Sequence, residues 1–339
     1  MTERVVRVAA ASLLFLGGCE RLPTGPASPG NTPVRGITFV DWTAGGYAGD
    51  SAHDALAGLA GTGANTVVLI VTAYQPDPEA KALRAQDPRT PSPGALRTAL
   101  QAARDLGLRI VLKPHVDLDD GAWRGAIAPP DPAAWFASYR RFVLPLAALA
   151  DSVGAACFVV GTELGGTLED EAEWLATIRA VRSVFSGSLL YAASWDEAAR
   201  VPFWGALDLV GVDFYFPVAT RRDPGRFDIL AAWQPWVERL RLLGRQTGRR
   251  VLLTEVGYRS VDGAGMKPYA GDGGGELDLA EQADLYWAAL EATAGQSWCE
   301  GLCWWNWPAD GRGGPRNRDY TPRGKSAERE LAAAWGGER

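Results

Sequence analysis

One pattern recurs eight times along the chain: a short apolar, β-branched run, a polar loop, and a stretch with helical periodicity. Strands that alternate with helices form a parallel sheet, and continuously apolar runs indicate strands buried on both faces. Eight such units in about 300 residues predict an α/β fold, a single-domain (β/α)8 TIM barrel. The predicted strands are VRGITFV (34–40), NTVVLIV (65–71), LRIVLKPHV (108–116), CFVVGTEL (157–164), SLLYAAS (188–194), LDLVGVDFYF (207–216), RVLLTEVG (250–257) and EGLCWWNW (300–307).

Helices are predicted between these strands. Glycine-containing stretches at 105–108 and 246–249 are typical of helix ends. A doubly wound open sheet is the alternative fold. It would place a glycine-rich phosphate-binding turn after the first strand, where this chain has Phe39-Val-Asp-Trp-Thr43. The predicted helices are 51–60, 94–106, 132–152, 169–185, 227–247, 280–294 and 325–335, with one short helix in 195–205.

The first residues have the features of an export signal. A positively charged start precedes a short apolar run, residues 8–16, which ends in Leu-Gly-Gly-Cys at Cys19. This ending resembles a bacterial lipobox and predicts a signal peptide at 1–19 with lipidation of Cys19. The alternative is an ordinary signal peptide with an incidental cysteine.

A tether and one domain follow the predicted cleavage site. Residues 20–33 are rich in Pro, Gly, Ser and Thr, which is typical of a flexible tether. The barrel domain is expected to occupy 34–339. We therefore expect an exported, cell-envelope lipoprotein that is anchored to the membrane through Cys19 and faces outside the cytoplasm.

Composition excludes some functions. A net charge of −6 gives no basic surface for nucleic acid, and only two histidines leave little room for histidine-based metal sites. Three cysteines remain after Cys19, namely Cys157, Cys299 and Cys303; their odd number argues for buried free thiols. Fourteen tryptophans exceed ordinary use, and some are expected to line a cleft. We expect a monomer.

Polar and aromatic side chains gather at one end of the predicted barrel. Catalytic groups of (β/α)8 barrels lie at the C-terminal ends of the strands, whereas the opposite ends here are plain. The asymmetry indicates a site. The residues are Asp41, Trp42, Tyr74, Lys113, His115, Asp117, Glu163, Ser194, Trp195, Asp213, Tyr215, Glu255, Tyr258, Trp305 and Trp307.

This set favours carboxylate chemistry in an aromatic cleft. It contains five carboxylates and one histidine, without a cysteine nucleophile or a catalytic triad. Glycoside hydrolysis needs two carboxyl groups that flank the scissile bond, but the pattern alone leaves open which two. A metal site built from Asp41, His115, Asp117 and Asp213 is the alternative. A single histidine makes it the weaker one, and we expect no metal or cofactor.

A family resemblance selects the pair. The stretches RGITFVDW, LKPHVD, VVGTEL, LDLVGVDFYFP, VLLTEVGYRS, LCWWNW and DYTPRGKSAE resemble the large clan of retaining (β/α)8 glycosidases, and most closely glycoside hydrolase family 113. Its characterised members are β-1,4-mannanases. The resemblance covers residues 34–335. It implies that Glu163 is the acid/base and Glu255 the nucleophile.

The resemblance also implies binding roles. Tyr215 would hydrogen-bond the nucleophile, and Trp305 would form a platform beneath the sugar. Lys113, His115 and Asp213 would bind hydroxyl groups, and Trp42, Trp195 and Tyr258 are looser candidates for subsite walls. Much of the clan has Asn before the acid/base glutamate, where this chain has Thr162. Contact with the sugar 2-hydroxyl must therefore differ.

The expected function is retaining endo-hydrolysis of β-1,4-linked mannan or manno-oligosaccharides. Other β-glycanases of the clan, such as a galactanase, a xylanase or a β-glucanase, are the nearest alternatives. A catalytically silent carbohydrate-binding lipoprotein is a second alternative, against which the presence of both Glu163 and Glu255 argues. Metal-dependent hydrolysis or deacetylation on the same barrel is a third.

Overall fold

The computed structural model describes residues 32–271 and 274–336. Within them eight parallel strands close into a barrel in chain order, with the last strand paired to the first. The predicted (β/α)8 barrel is therefore confirmed. The strands are β1 (Val34–Val40), β2 (Thr66–Gln75), β3 (Arg109–Leu118), β4 (Cys157–Thr162), β5 (Ser188–Ser194), β6 (Leu209–Phe214), β7 (Val251–Val256) and β8 (Cys299–Pro308). The predicted signal peptide, Cys19 and nearly all of the tether lie outside the described residues.

Helices surround the barrel, and their ends follow capping chemistry. The side chains of Ser92, Asp131 and Asp278 accept backbone N–H groups at three helix starts. Gly107 and Gly248 follow two helix ends with φ of +73° and +67°, a conformation that favours glycine. The helices are α1 (Asp50–Gly61), α2 (Pro93–Asp105), α3 (Pro132–Ser152), α4 (Glu171–Arg182), α5 (Arg226–Thr247), α6 (Leu279–Thr293) and α7 (Ser326–Gly336).

The connection between β5 and β6 differs from the prediction. Its residues, all of them described, form two 3-10 turns at 198–200 and 204–206 in place of one short helix. Pro202 lies between the turns, and the residue before a proline is driven from helical to extended conformation. Val201 accordingly has φ −66° and ψ 115°.

The core has two layers. The larger layer lies between the strands and the helices, and it buries Trp135, Trp174 and Trp233. A smaller layer fills the barrel itself and includes Cys157 and Cys303. Cys157, Cys299 and Cys303 are buried free thiols, as predicted. None of the helices within the described residues is both long enough and apolar enough to span a membrane.

The strand ends set the positions of the two candidate glutamates. Because all eight strands are parallel, their C-terminal ends open at one mouth. Strand β4 ends at Thr162, two residues before the end that was predicted. Glu163 therefore lies in the turn that follows the strand. Glu255 lies on β7 itself. A register shift between β6 and β7 makes Thr254 an extra residue and pairs Asp213 with Glu255.

Candidate active site

Glu255 is held from inside the barrel by two hydrogen bonds. The Nζ of Lys113, on β3, donates to Oε1 at 2.5 Å. The hydroxyl of Tyr215, just after β6, donates to Oε2 at 2.7 Å. The hydrogen bond expected between Tyr215 and Glu255 is thus present. Both carboxylate oxygens are fixed in direction, one by a cation and one by a neutral donor.

Lys113 joins Glu255 to a second buried carboxylate. Its Nζ also donates to both oxygens of Asp213, at 2.8 and 3.1 Å, and the hydroxyl of Thr254 donates to Asp213 at 2.6 Å. Burial lowers the pKa of Lys113, but the negative charges of Asp213 and Glu255 outweigh it, so the pKa is raised overall. The lysine therefore stays charged while fully buried.

The pKa of Glu255 is raised overall, although several influences oppose the rise. Burial raises it, and the negative charge of Asp213 raises it further. The ammonium of Lys113 and the hydrogen bonds from Lys113 and Tyr215 act in the opposite direction. Direct contact with a permanent cation stabilises the ionised carboxylate, which is the form that can attack carbon.

His115 is neutral, and its tautomer follows from its neighbours. Burial and the positive charges of Arg124 and Lys113 hold the pKa of His115 well below its usual value. Arg124 lies 2.6 Å from Nδ1, and a guanidinium can only donate, so Nδ1 accepts and Nε2 carries the hydrogen. Nε2 lies 3.7 Å from Oε1 of Glu255. Arg124 is itself held by Asp117 at 2.6 Å.

Glu163 has different surroundings. Its backbone has φ +51°, and its N–H donates to the carbonyl of Ala192 at 2.8 Å. Oε2 accepts the indole N–H of Trp123 at 3.3 Å. Burial raises the pKa of Glu163; Arg124 and Lys113 oppose this, whereas the charge of Glu255 adds to it. Two glutamates with different partners thus share one cleft: Glu255 contacts the ammonium of Lys113, and Glu163 contacts the neutral indole of Trp123.

The cleft has a volume of about 540 Å³. Seven of the predicted site residues line it: His115, Glu163, Ser194, Trp195, Tyr215, Glu255 and Trp305. The ring of Trp305 stacks parallel to His115, with ring centroids 6.2 Å apart, and its peptide bond to Asn306 is cis. Six lining residues were not predicted, namely Trp123, Arg124, Asp196, Tyr269, Gly271 and Tyr320.

The missed residues come from loops that follow β3, β5, β7 and β8. A signal for them exists in the sequence, because Trp123-Arg124 interrupts a polar loop after a predicted strand, on the side where barrel loops carry function. Which loop side chains turn inward depends on how the loops pack on one another.

Five predicted binding residues do not line the cleft, and four of these are buried. Lys113 and Asp213 are completely buried, and Lys113 donates to both Asp213 and Glu255, so the expectation that they bind sugar hydroxyls is corrected to a role in holding Glu255. Thr162 is 1% exposed, and its hydroxyl donates to the carbonyl of Pro114 at 3.0 Å. Tyr258 is 0% exposed and belongs to the core.

The other members of the predicted ring have structural surroundings. Trp42 is half-buried and meets the edge of Trp305, with centroids 6.4 Å apart. Asp41 accepts the N–H and the hydroxyl of Thr43. The four residues of the alternative metal site are therefore not gathered into one ligand set. Within the described residues no group of three or more His, Cys, Asp or Glu could hold a metal ion.

Comparisons with known proteins identify similar chains. The family model for Glycoside Hydrolase Family 113 matches residues 37–325. A solved GH113 β-1,4-mannanase, in a complex structure, is 26% identical; the match has a TM-score of 0.84 and covers 90% of this chain and 99% of that one. The GH113 β-mannanase AaManA from Alicyclobacillus acidocaldarius, in complex with ManMIm, is 28% identical, with a TM-score of 0.83, and covers 91% and 98%.

More distant structures share only the fold. A β-glucuronidase from Faecalibacterium prausnitzii is 12% identical with a TM-score of 0.61, and the match covers 90% of this chain and 49% of that one. No curated protein matches the sequence.

Proposed function

The chain belongs to glycoside hydrolase family 113, and from this premise we propose that it is a retaining endo-β-1,4-mannanase. Its substrate would be mannan or manno-oligosaccharides, cleaved by double displacement with Glu255 as the nucleophile and Glu163 as the acid/base. One observation carries the proposal: a single cleft contains two glutamates whose side chains have different partners. Glu255 is buried and paired with a buried cation, whereas Glu163 is half-buried and accepts a hydrogen bond from a neutral indole.

In the first step Glu255 attacks the anomeric carbon and Glu163 gives its proton to the departing glycosidic oxygen. Lys113 and Tyr215 hold the two carboxylate oxygens, which fixes the direction of attack. The bond from carbon to the leaving oxygen breaks as the bond from carbon to Glu255 forms. The product is a covalent glycosyl-enzyme.

In the second step Glu163 acts as the base. The charge of Glu255 raises the pKa of Glu163 in the free enzyme, and this charge disappears when Glu255 becomes an ester. The pKa of Glu163 therefore falls in the intermediate, and the carboxylate takes a proton from water as that water attacks the anomeric carbon. The bond from carbon to Glu255 breaks at the same time and returns Glu255 as a carboxylate. The released sugar keeps its configuration, and Glu163 regains its proton.

Two cleft residues support binding of a sugar ring. Trp305 presents an aromatic face at the mouth of the barrel, and such faces stack on the apolar C–H faces of sugars. The Nε2–H of His115 points to the side of Glu255 and can donate to a hydroxyl beside the attacked carbon. A mannan substrate is supported by the β-mannanases that this chain resembles at 26% and 28% identity.

The proposal is tested by assaying the protein on β-1,4-mannan, galactan, xylan and β-glucan with reducing-sugar detection. Mannan should be the best substrate. Glu163→Gln and Glu255→Gln should each lower kcat on it by roughly a thousandfold or more, because each removes a reacting group. A preference for another glycan would overturn the substrate, and near wild-type activity in either variant would overturn the catalytic assignment.

A further inference from the structure

One buried carboxyl group close to the cleft has no part in the steps above. Glu197 lies in the turn after β5 and is 1% exposed. Its Oε1 accepts the N–H of Ser194 at 3.0 Å and the hydroxyl of Tyr191 at 3.2 Å. Its Oε2 accepts no hydrogen bond from the described residues. A buried carboxyl oxygen without a donor costs free energy, so a structural role alone explains it poorly.

A chain of hydrogen bonds leads from Glu197 to the acid/base. The hydroxyl of Tyr191 donates to Glu197 and accepts the N–H of Leu164 at 2.7 Å. Leu164 is the residue after Glu163, whose φ of +51° is unusual for any residue with a side chain. Tyr191 cannot shift easily, because its ring packs on Trp174 with centroids 5.3 Å apart. The backbone that directs Glu163 into the cleft is therefore fixed through Tyr191.

The unbonded oxygen faces the same turn. A Cβ at Gly165 would collide with Oε2 of Glu197, so only glycine lets the turn lie directly on this carboxyl group. At Gly166 a Cβ would collide with the carbonyl of Ile127. Residues 163–166 are thus packed against Glu197 on one side and the loop after β3 on the other.

The charges of Glu197 and Glu163 also interact. Burial raises the pKa of Glu197 to about 7, and the negative charge of Glu163 adds to this rise. The other titratable groups that influence it are Asp196 in its own turn, which raises the pKa, and Tyr191, which lowers it. Interaction between two charges is mutual, so the negative charge that Glu197 carries above about pH 7 disfavours ionisation of Glu163 in turn.

We propose that Glu197 is a positioning residue for the acid/base: through Tyr191 it fixes the Glu163 turn, and its negative charge behind that turn keeps the proton on Glu163. This rests on the role proposed above for Glu163. It assigns Glu197 a purpose that its burial and its unbonded oxygen otherwise lack. The proton is held on Glu163 until the glycosidic oxygen takes it.

The test is Glu197→Gln, which removes the charge and retains an oxygen to accept from Ser194 and Tyr191. The alkaline limb of the pH profile of kcat/KM on mannan should move to lower pH by roughly 0.5–1 pH unit, because Glu163 gives up its proton more easily. Turnover of an activated aryl β-mannoside, whose leaving group needs no proton, should change less than turnover of mannan. An unmoved alkaline limb would overturn the proposal.

Tyr191→Phe tests the other half and does not depend on how Glu197→Gln folds. It removes the acceptor for the Leu164 N–H and keeps the ring. We expect kcat on mannan to fall about tenfold, with KM and turnover of the aryl mannoside nearly unchanged. Equal losses on both substrates would show a general structural role and would overturn the proposal.

Glu281→Gln is the matched control. Glu281 is also buried with a raised pKa, but it accepts the N–H groups of Gly263 and Gly265, away from Glu163. Its loss should leave the alkaline limb in place, and an equal shift there would overturn the specific coupling. Failure of the proposed function is seen separately, as persistent activity in Glu163→Gln. If Glu163→Gln is inactive and the alkaline limb does not move in Glu197→Gln, the role of Glu163 stands and only the positioning role of Glu197 fails.

Discussion

The two cleft glutamates differ in which part of the fold holds them. Glu255 lies on strand β7, and its bonding partners Lys113 and Tyr215 come from β3 and the end of β6. Glu163 lies beyond the end of β4, and its side chain meets Trp123 from a loop while its turn leans on Glu197. The carboxylate of Glu255 is bound by side chains from the barrel strands and their ends, whereas the carboxyl group of Glu163 is bound by a side chain from a loop.

The difference matches the roles that we propose for Glu255 and Glu163. A nucleophile keeps one charge state and one direction until it reacts, so rigid strands and a buried cation suit it. An acid/base gives up and regains a proton in each cycle, and its surroundings must make both states accessible. Changes to Lys113 or Tyr215 should therefore affect the charge of Glu255, and changes around the Glu163 turn should affect the proton of Glu163.

The largest effect is expected for Lys113→Met. It leaves Asp213 and Glu255 as two buried negative charges without their cation, which should cost about 3–5 kcal/mol of stability and at least a thousandfold in kcat. The pKa of Glu255 should rise, so the acidic limb of the pH profile moves to higher pH. Urea unfolding and kcat against pH measure both.

Lys325→Met is the control for that change. Lys325 is another buried lysine, which donates to Ser260 and to the carbonyl of Asp319. Its removal should lower stability and leave the acidic limb where it is. A similar shift in both variants would contradict the specific pairing of Lys113 with Glu255.

A moderate effect is expected for Tyr215→Phe. It removes one hydrogen bond to a charged group, worth about 1.5–3 kcal/mol, and should lower kcat about 10- to 100-fold with the fold intact. Tyr320→Phe is the comparison, because that cleft tyrosine donates to the carbonyl of Pro268 and not to Glu255. Equal kcat losses in steady-state assays would show that any cleft hydroxyl matters as much.

A smaller effect, of opposite kind, is expected for Trp123→Phe. Its indole N–H is 3.3 Å from Glu163, and the side chain is 51% exposed, so the bond is weak. This bond lowers the pKa of Glu163, and its loss should move the alkaline limb to higher pH by a few tenths of a unit, with kcat reduced about threefold. A limb that moves to lower pH would contradict the assigned contact.

The smallest catalytic effect is expected for Thr162→Val. The hydroxyl faces Pro114 and not the cleft, so its loss should cost about 1 kcal/mol in thermal unfolding and leave kcat/KM on mannan within about threefold. A large rise in KM would restore the idea, drawn from sequence, that Thr162 contacts the sugar.

The fold was predictable because its signal is repeated. Eight apolar runs with intervening helices leave few alternatives, and each predicted strand overlaps an observed one. The failure at 195–205 has a local cause. Pro202 forbids a continuous helix, although the apolar spacing around it resembles one.

The site was predictable only in part, because the sequence spacing does not show which side chains are buried or how the loops pack. Period and spacing place Lys113, Asp213 and Glu255 at strand ends, but burial decides that the first two act on the third and not on substrate. Arg124 and Glu197 belong to loops, whose side-chain directions depend on contacts between distant parts of the chain. No local pattern encodes those contacts.

The thiols inside the barrel have a consequence for how its opening can be followed. Burial raises the pKa of Cys303 to about 12 and raises that of Cys157 as well, and only a thiolate reacts with alkylating reagents. The closed barrel should therefore protect both from labelling. Because they lie on β8 and β4, modification requires the strands to separate, and its rate would follow the rare open form. The rate of thiol labelling would therefore report how often the barrel opens.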